Sequence, residues 1–473
     1  MRKYLLSIAL FIFTISTLSS CLGETDSYTY YNDAAITNFS LGTLNRYFHK
    51  TRVDGTDSVY KRTLNCSGYT FYIDHENGVI WNPDSLPIEI DASKVICSIT
   101  TKNSGTIAYK SLTSDSLNWY AAKDSMDFRQ PRQFVVYSSY GTGSTKYTIH
   151  VNVHKEIADT CIWTKVLSTN TSIAALTEMK ALSNGSSIYL FGNEGTAPKL
   201  YKTAITDGQV WTPVTTTPNF TVDAVKNTMI KNGVFFTISD GKILKSVDAA
   251  NWSEVATTDL KQLVAASTAR LYALSSTNAL MSSSDDGVTW VQETLDDDIA
   301  LLPTEDLSFA CRPLRTNDKT DKLVIIGNRN SAAYPDDTTA KVWTKVDEYS
   351  DGARNNAWNY VDFAYDNKHK APRAKNWQLV NYDGGNIKAI AGNSLDGSVK
   401  ALSTIYHSGD DGITWLNDSV MVLPKTLSSS ETSFTMVADG VNSVWVICGG
   451  TGQVWKARIN RVAWKEDQKY FGE

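Results

Sequence analysis

One octet occurs twice in this chain. Ser283-Ser284-Asp285-Asp286-Gly287-Val288-Thr289-Trp290 and Ser408-Gly409-Asp410-Asp411-Gly412-Ile413-Thr414-Trp415 share the pattern S-x-D-D-G-(V/I)-T-W, each after a β-like run. Such a stretch acts as a hairpin staple. Its Ser and Asp side chains close onto backbone groups of the turn, its Gly takes φ > 0, and its Trp plugs the gap between neighbouring sheets. The expected role is architectural for Ser283, Asp285, Gly287 and Trp290, and equally for Ser408, Asp410, Gly412 and Trp415.

The octets belong to a longer repeat. From Cys161 onward the chain cycles through three β-like segments, a turn, and a fourth strand opening with Trp. That Trp recurs at Trp211, Trp252, Trp290, Trp358, Trp415 and Trp464. Thr206-Asp207-Gly208 is a degenerate octet turn, and the turn from Ser246 to Trp252 is one residue short and lacks the Gly. A four-stranded propeller blade takes about 40–50 residues, so the long fourth and fifth units carry insertions. One piece is left over: Cys161-Ile162-Trp163-Thr164-Lys165-Val166 reads as a fourth strand without its first three. The count is six units plus this strand, with seven blades as the alternative. A strand from one terminus completing the last blade is a common way to close such a ring.

The octet resembles the Asp-box, the bacterial neuraminidase (BNR) repeat of sialidase-like β-propellers. That resemblance implies a propeller over residues 156–473, with boxes at its outer edge and ligands at its central face. Sialidases hold the substrate carboxylate with three arginines, one in a Phe/Tyr-Arg-Ile-Pro signature. Here Phe309-Ala310-Cys311-Arg312-Pro313 lacks the Arg at that place, and Arg373 stands in Ala371-Pro372-Arg373. Arg312, Arg373 and Trp377 are the candidate ligand contacts. An Arg beside an aromatic suits a sugar, with the ring stacked and a carboxylate forked. The alternative places Trp377 in the core and both arginines in ion pairs.

The N-terminus has a different character. Arg2 and Lys3 precede an apolar run over residues 4–18, and Leu18-Ser19-Ser20-Cys21 resembles a bacterial lipobox. Residues 1–21 are thus expected to be a lipoprotein signal, with Cys21 lipidated and 22–34 a tether. No later apolar run approaches the ~20 residues of a membrane helix, so membrane attachment is expected through the lipid only. Residues 35–155 alternate apolar and polar over short segments, most cleanly from Tyr147 to His154, as in a β-sandwich. This stretch resembles the Ig-like domains that precede larger modules in Bacteroides-type surface lipoproteins. His150 and His154 on one strand would lie about 13 Å apart, too far for one metal. Of Cys66, Cys97, Cys161, Cys311 and Cys448, a Cys66–Cys97 bridge is possible, and buried free thiols are the preferred reading.

The expected fold is therefore all-β, an Ig-like β-sandwich followed by a β-propeller. The 13 Trp and 23 Tyr suit aromatic plugs between sheets. A net charge of −5 gives no reason to expect nucleic acid. No phosphate loop, HExxH motif or nucleophile elbow is present, and the acidic runs Asp296-Asp297-Asp298 and Asp336-Asp337 read as solvated loops. No metal, cofactor or catalytic residue is expected. The function expected is that of an outer-membrane lipoprotein, periplasmic or surface-exposed, whose propeller binds a glycan or an envelope protein. A divergent glycoside hydrolase or lyase, and a structural subunit of an envelope complex, are the alternatives.

Overall fold

The computed structural model describes residues 29, 31–51, 57–361, 367–382 and 384–461. Cys21, the expected signal, most of the tether and Trp464 lie outside them. The chain forms two compact units that divide between Ala158 and Asp159. Among the described residues no helix is long and apolar enough to cross a membrane.

In the first unit a six-stranded sheet runs in the order Tyr72–Asp74, Val79–Trp81, Ser144–His150, Arg132–Tyr137, Thr106–Lys110, Leu117–Trp119. The pair Ile36–Leu41 and Cys97–Thr101 covers it, and the alternating apolar residues of both layers form one core around Phe39, Cys97, Phe134 and Ile149. The strand at Val79–Trp81 pairs parallel with Ser144–His150, while the other contacts of the sheet are antiparallel. The closing strand stops at His150, so His150 and His154 do not share one strand as the alternation suggested. Asn82 ends it by taking the backbone of Asn152 on both sides: Asn152 N donates to its Oδ1 at 2.7 Å, and its Nδ2 donates to Asn152 O at 2.9 Å. A long hairpin, Thr43–Thr51 with Asp57–Asn65, was not expected from the pattern. Cys66 and Cys97 are both free and buried, and burial pushes their thiols up to about 11 and about 12.

Among the described residues the second unit contains six four-stranded antiparallel sheets. Their first strands are Glu178–Ser183, Met229–Lys231, Gln262–Ala266, Glu305–Pro313, Gln378–Tyr382 and Phe434–Ala438. Each lies beside the first strand of the next sheet, and the last returns to the first, so the sheets form a propeller-like ring. The first strand is an edge strand with N–H groups that no ladder satisfies. Side chains of neighbouring blades satisfy some of them: Ala181 N donates to Thr435 Oγ1, Leu263 N to Asn227 Oδ1 and Leu379 N to Ser308 Oγ, each at 3.0 Å.

The sixth sheet takes its fourth strand from the start of the unit. Thr160–Leu167 pairs antiparallel with Val454–Asn460. The segment at Cys161, read in the sequence as a strand beyond six full units, is thus the fourth strand of the sixth sheet. In five sheets the repeat Trp stands directly before the short or outer fourth strand, at Trp211, Trp252, Trp290, Trp358 and Trp415. Each is packed between its own sheet and the preceding one.

Candidate functional site

The two octets close as their residue types require. Ser283 Oγ donates to Asp285 at 2.7 Å and accepts from Gly287 N at 2.8 Å. Thr289 gives its N–H and its hydroxyl to Asp285 at 2.9 and 2.6 Å. Ser408, Asp410, Gly412 and Thr414 repeat this with distances of 2.7–2.9 Å. These bonds, with the Thr289 hydroxyl first, lower the Asp285 carboxyl to about 2. Gly287 and Gly412 have φ of 97° and 92°. Their carbonyls accept the indole N–H of Trp290 and Trp415 at 3.1 and 2.9 Å. A Cβ on Gly412 would meet Val342 and Val324 of the preceding sheet at 2.9 and 3.0 Å, so the turn itself docks on its neighbour. In the short turn Ala249 substitutes for that Gly, with φ 60° and a carbonyl 2.7 Å from Trp252 Nε1.

The second Asp of each octet reaches the preceding sheet. Asp286 pairs with Lys231 at 2.7 Å and Asp411 with Arg312 at 3.1 Å. Lys231 and Arg312 both stand near the finish of a first strand. Arg312 is therefore engaged by an octet carboxylate.

Arg373 and Trp377 lie at the opposite end. Glu305 opens its strand opposite Asn328, and Asn328 Nδ2 donates to Ala374 O at 2.9 Å. Arg373 thus sits where the first strands begin, whereas Arg312 pairs with Lys322 near the far end of the same ladder. The two arginines do not share a site, because a nine-residue strand separates the ends they occupy. Trp377 is 1% exposed and packs against Tyr406 and Trp415, with ring centroids 5.4 and 5.7 Å away. It is a core side chain rather than a stacking platform.

At the face where first strands begin, polar side chains of several blades engage one another. Asp306 accepts from Asn328 Nδ2 at 2.9 Å and from Asn376 N at 3.0 Å. Gln378 donates to Asn376 Oδ1 at 2.8 Å and accepts from Thr435 Oγ1 at 3.0 Å. Glu178 accepts from Asn193 Nδ2 at 2.9 Å. Lys180 Nζ donates to Lys226 O at 3.1 Å; burial among the first strands pulls this lysine down to about 8, against the opposing pull of Glu178.

A repeated Gly-Asn pair organises this face and escaped the sequence reading. Asn193, Asn328 and Asn393 follow Gly192, Gly327 and Gly392, each at or just past the end of a second strand. Each Asn clamps the segment leading into the next blade, through Val222 O at 3.1 Å, Ala374 O at 2.9 Å and Glu431 Oε2 at 2.7 Å. A Cβ on Gly327 would meet Glu305 O at 2.7 Å, so the pair needs its Gly for the close approach. The dipeptide occurs four times, and at three of them it follows an apolar strand (Gly385-Asn386 is the exception), which was the available signal.

The connection between the second and third strands of the fourth sheet covers Arg373. Arg373 is 4% exposed, and its Nη1 donates to Asp337 O at 3.0 Å and Pro335 O at 3.2 Å. Arg329 forks onto the Asp337 carboxylate at 2.8 and 2.6 Å and lies over the Tyr334 ring at 3.6 Å. Lys341 adds a third contact to Asp337 at 3.3 Å. The Arg329 bond, ahead of the other causes, holds Asp337 below the usual carboxylate range. Among the described residues, Nε and Nη2 of Arg373 have no hydrogen-bond partner.

A separate buried network ties the third and fourth sheets. Lys345 Nζ donates to Glu293 Oε2 at 2.6 Å and Asn355 Oδ1 at 2.7 Å, and Ser282 Oγ donates to Glu293 Oε1 at 2.6 Å. Burial lowers Lys345 despite that carboxylate. In the first unit His150, His154, Asp91, Glu89 and Arg129 line an open groove of about 720 Å³. Burial lowers His154, against the pull of Asp84. Among the described residues no three His, Cys, Asp or Glu side chains gather as a metal site.

No curated protein matches the sequence. Solved structures similar to it include YCF48 from Cyanidioschyzon merolae, 14% identical with a TM-score of 0.35, covering 63% of this chain and 98% of that one. AofleA from Arthrobotrys oligospora is 12% identical with a TM-score of 0.37, covering 67% and 95%. A GH74 xyloglucanase from Xanthomonas campestris is 12% identical with a TM-score of 0.33, covering 71% of this chain and 51% of that one. Residues 39–151 match the N-terminal domain of DUF6242, a domain of unknown function, and residues 157–467 match the DUF6242 beta propeller domain. The ring of four-stranded sheets falls within the second match, and the chain belongs to the DUF6242 family.

Proposed function

We propose that this protein is a lipid-anchored component of the cell envelope whose six-sheeted propeller binds a glycan or a protein partner without transforming it. The anchor rests on the sequence, where Cys21 follows a basic start and an apolar run. An Ig-like N-terminal module acting as spacer is part of this reading, supported by its two β-layers around one core.

One observation carries the binding role. Carboxylates at or near the ring's strand ends are committed to structural partners: Glu178 to Asn193, Asp306 to Asn328, Asp337 to Arg329, and Glu293 to Lys345. Glycosidase chemistry needs two carboxyl groups free to exchange protons across a pocket. Arg373, by contrast, keeps a donor edge, Nε and Nη2, with no hydrogen-bond partner among the described residues. A donor held at the end of a rigid strand suits recognition of an acceptor group.

The test joins a glycan array to crosslinking in intact cells, using the native protein and Cys21→Ala. Palmitate labelling is expected in the native protein only, with a glycan class or a defined envelope protein captured through the propeller. Turnover of a captured glycan, or palmitate on the Cys21→Ala protein, would overturn the corresponding half of the proposal.

A further inference from the structure

We propose that the open face of the six-stranded sheet in the first unit is a binding site for a chain of neutral, β-linked pyranoses, stacked on Tyr72, Trp81, Trp119 and Tyr137. The site is separate from the propeller and does not depend on what the propeller binds.

The first observation is which side chains share that face. Ile80, Phe134, Val136 and Ile149 belong to the core, so the residues alternating with them point outward. The register aligns these outward residues across the strands. Tyr72 lies opposite Trp81, and Trp81 opposite His150. Thr148 lies opposite Gln133, Lys146 opposite Val135, Val135 opposite Ala108, and Ala108 opposite Trp119. Tyr137 stands between Ser144 and Thr106 in the last row. Two aromatic pairs therefore occupy one face, with Trp81 and Trp119 four strand spacings apart, ~19 Å across the sheet.

The second observation is that these rings are open to solvent and yet held. Trp119 is 68% exposed and Tyr72 56% exposed. Tyr72 stacks on Trp81 with 6.0 Å between ring centroids and 27° between planes, and Trp119 leans on Tyr137 at 6.0 Å. A ring already supported by a neighbour loses little freedom when a ligand lies on it. His150, beside Trp81, also lines the open groove of this unit, so the aromatic row meets a concave, polar end.

The third observation is what lies between the pairs. Gln133, Thr148 and Lys146 occupy that strip. The core of a protein interface is apolar and poor in charge, and this strip is neither. A pyranose with equatorial substituents presents C–H groups on its ring faces and hydroxyls around its rim, which suits aromatic rings alternating with hydrogen-bonding side chains on a flat sheet. The charges of the face favour a neutral chain. Asp74 is taken up by its own turn, accepting from Glu76 N and Asn77 N at 3.0 Å and from Asn77 Nδ2 at 2.7 Å, and Lys110 pairs with Asp115 at 2.7 Å. Lys146 is a point charge without the fork that matches a carboxylate.

The probes are hexaoses of β-1,4-linked glucose, xylose and mannose, each with its disaccharide, which is too short to reach both aromatic pairs. Calorimetric titration of the full chain is expected to show at least one hexaose binding at least tenfold tighter than its disaccharide. Trp119→Ala and Tyr72→Ala remove exposed rings and leave the core intact, so each is expected to keep the native melting temperature and to weaken the hexaose at least tenfold. Trp119→Phe retains a stacking ring and is expected to bind nearly as well as the native protein. A hexaose that binds both Ala variants as tightly as the native protein overturns this site and leaves a glycan-binding propeller standing. Binding of no hexaose also overturns it, and leaves the propeller free to take a protein or another glycan. Equal affinity for hexaose and disaccharide shows one pair acting alone and overturns the shared platform. Capture of an envelope protein that is lost in Trp119→Ala, with no hexaose bound, makes the face a protein interface and overturns the sugar assignment.

Discussion

At the scale of single residues, the octet carboxylates do more than fill a turn. Asp285 is lowered to about 2 chiefly by the Thr289 hydroxyl, next by Thr289 N and Ser283. An unfolded Asp titrates near ~3.9. A carboxyl depressed in the folded state stabilises the fold above its unfolded value, and that contribution is lost as pH falls through the folded one. For Asp285 the window therefore runs from about 4 down to about 2. Thr289→Val removes the leading donor. Its melting temperature is expected to lie below that of the native protein at pH 7, with the gap closing as pH falls through that window. A gap that stays constant in thermal melts across the window would mean the hydroxyl does not act through the charge. Arg312 illustrates the complementary case: it reads as a ligand contact in the sequence and serves in the structure as the cation for Asp411.

At the scale of the element, the turn and its Trp form one unit that belongs to two sheets. Trp415 is 3% exposed, packed with Trp377, Val324 and Val342, and hung by its indole N–H from Gly412 O. Truncating a buried aromatic costs typically ~3–5 kcal/mol. Trp415→Ala is expected to fall in that range by denaturant unfolding of the propeller. Trp290→Ala is expected to lose less, because Trp290 is only partly buried against its cluster. Equal, near-zero losses would show that neither Trp holds its two sheets together. The Gly-Asn pairs are the counterpart at the other end of the blades. There the edge strand's polar groups are satisfied by side chains of adjacent blades, and an unsatisfied buried polar group costs about 1–3 kcal/mol.

At the scale of the whole propeller unit, closure depends on one strand. Thr160–Leu167 fills the outer edge of the sixth sheet, so the first residues of the unit lock its last. Replacing both Thr164 and Lys165 by Pro removes at least one ladder donor whichever of the two faces Val454–Asn460. The expected result is a lower unfolding midpoint for the propeller and faster amide exchange in Val454–Asn460 than in the other third strands. Unchanged protection there would show that the ring holds without this strand.

What the sequence determined by itself is the class of each element. Period-2 alternation, the octet turns and the recurring Trp are local signals, set by backbone conformation and by residues a few positions apart. They located the sheets of the second unit and the architectural role of Trp290 and Trp415. The sequence also left a fourth strand without its first three, and the structure pairs it with Val454–Asn460. Contacts between distant stretches were not legible. The hairpin Thr43–Thr51 with Asp57–Asn65, the strand end at His150 and the burial of Trp377 depend on which faces meet after folding. Arg312 and Arg373 looked alike in sequence, each an Arg next to a Pro at one end of a first strand. Only the tertiary structure set one against an octet carboxylate and left the other a buried guanidinium with one edge unfilled. Strand direction decides this, because it sends the two ends of a blade to opposite faces of the ring, where different loops supply the partners.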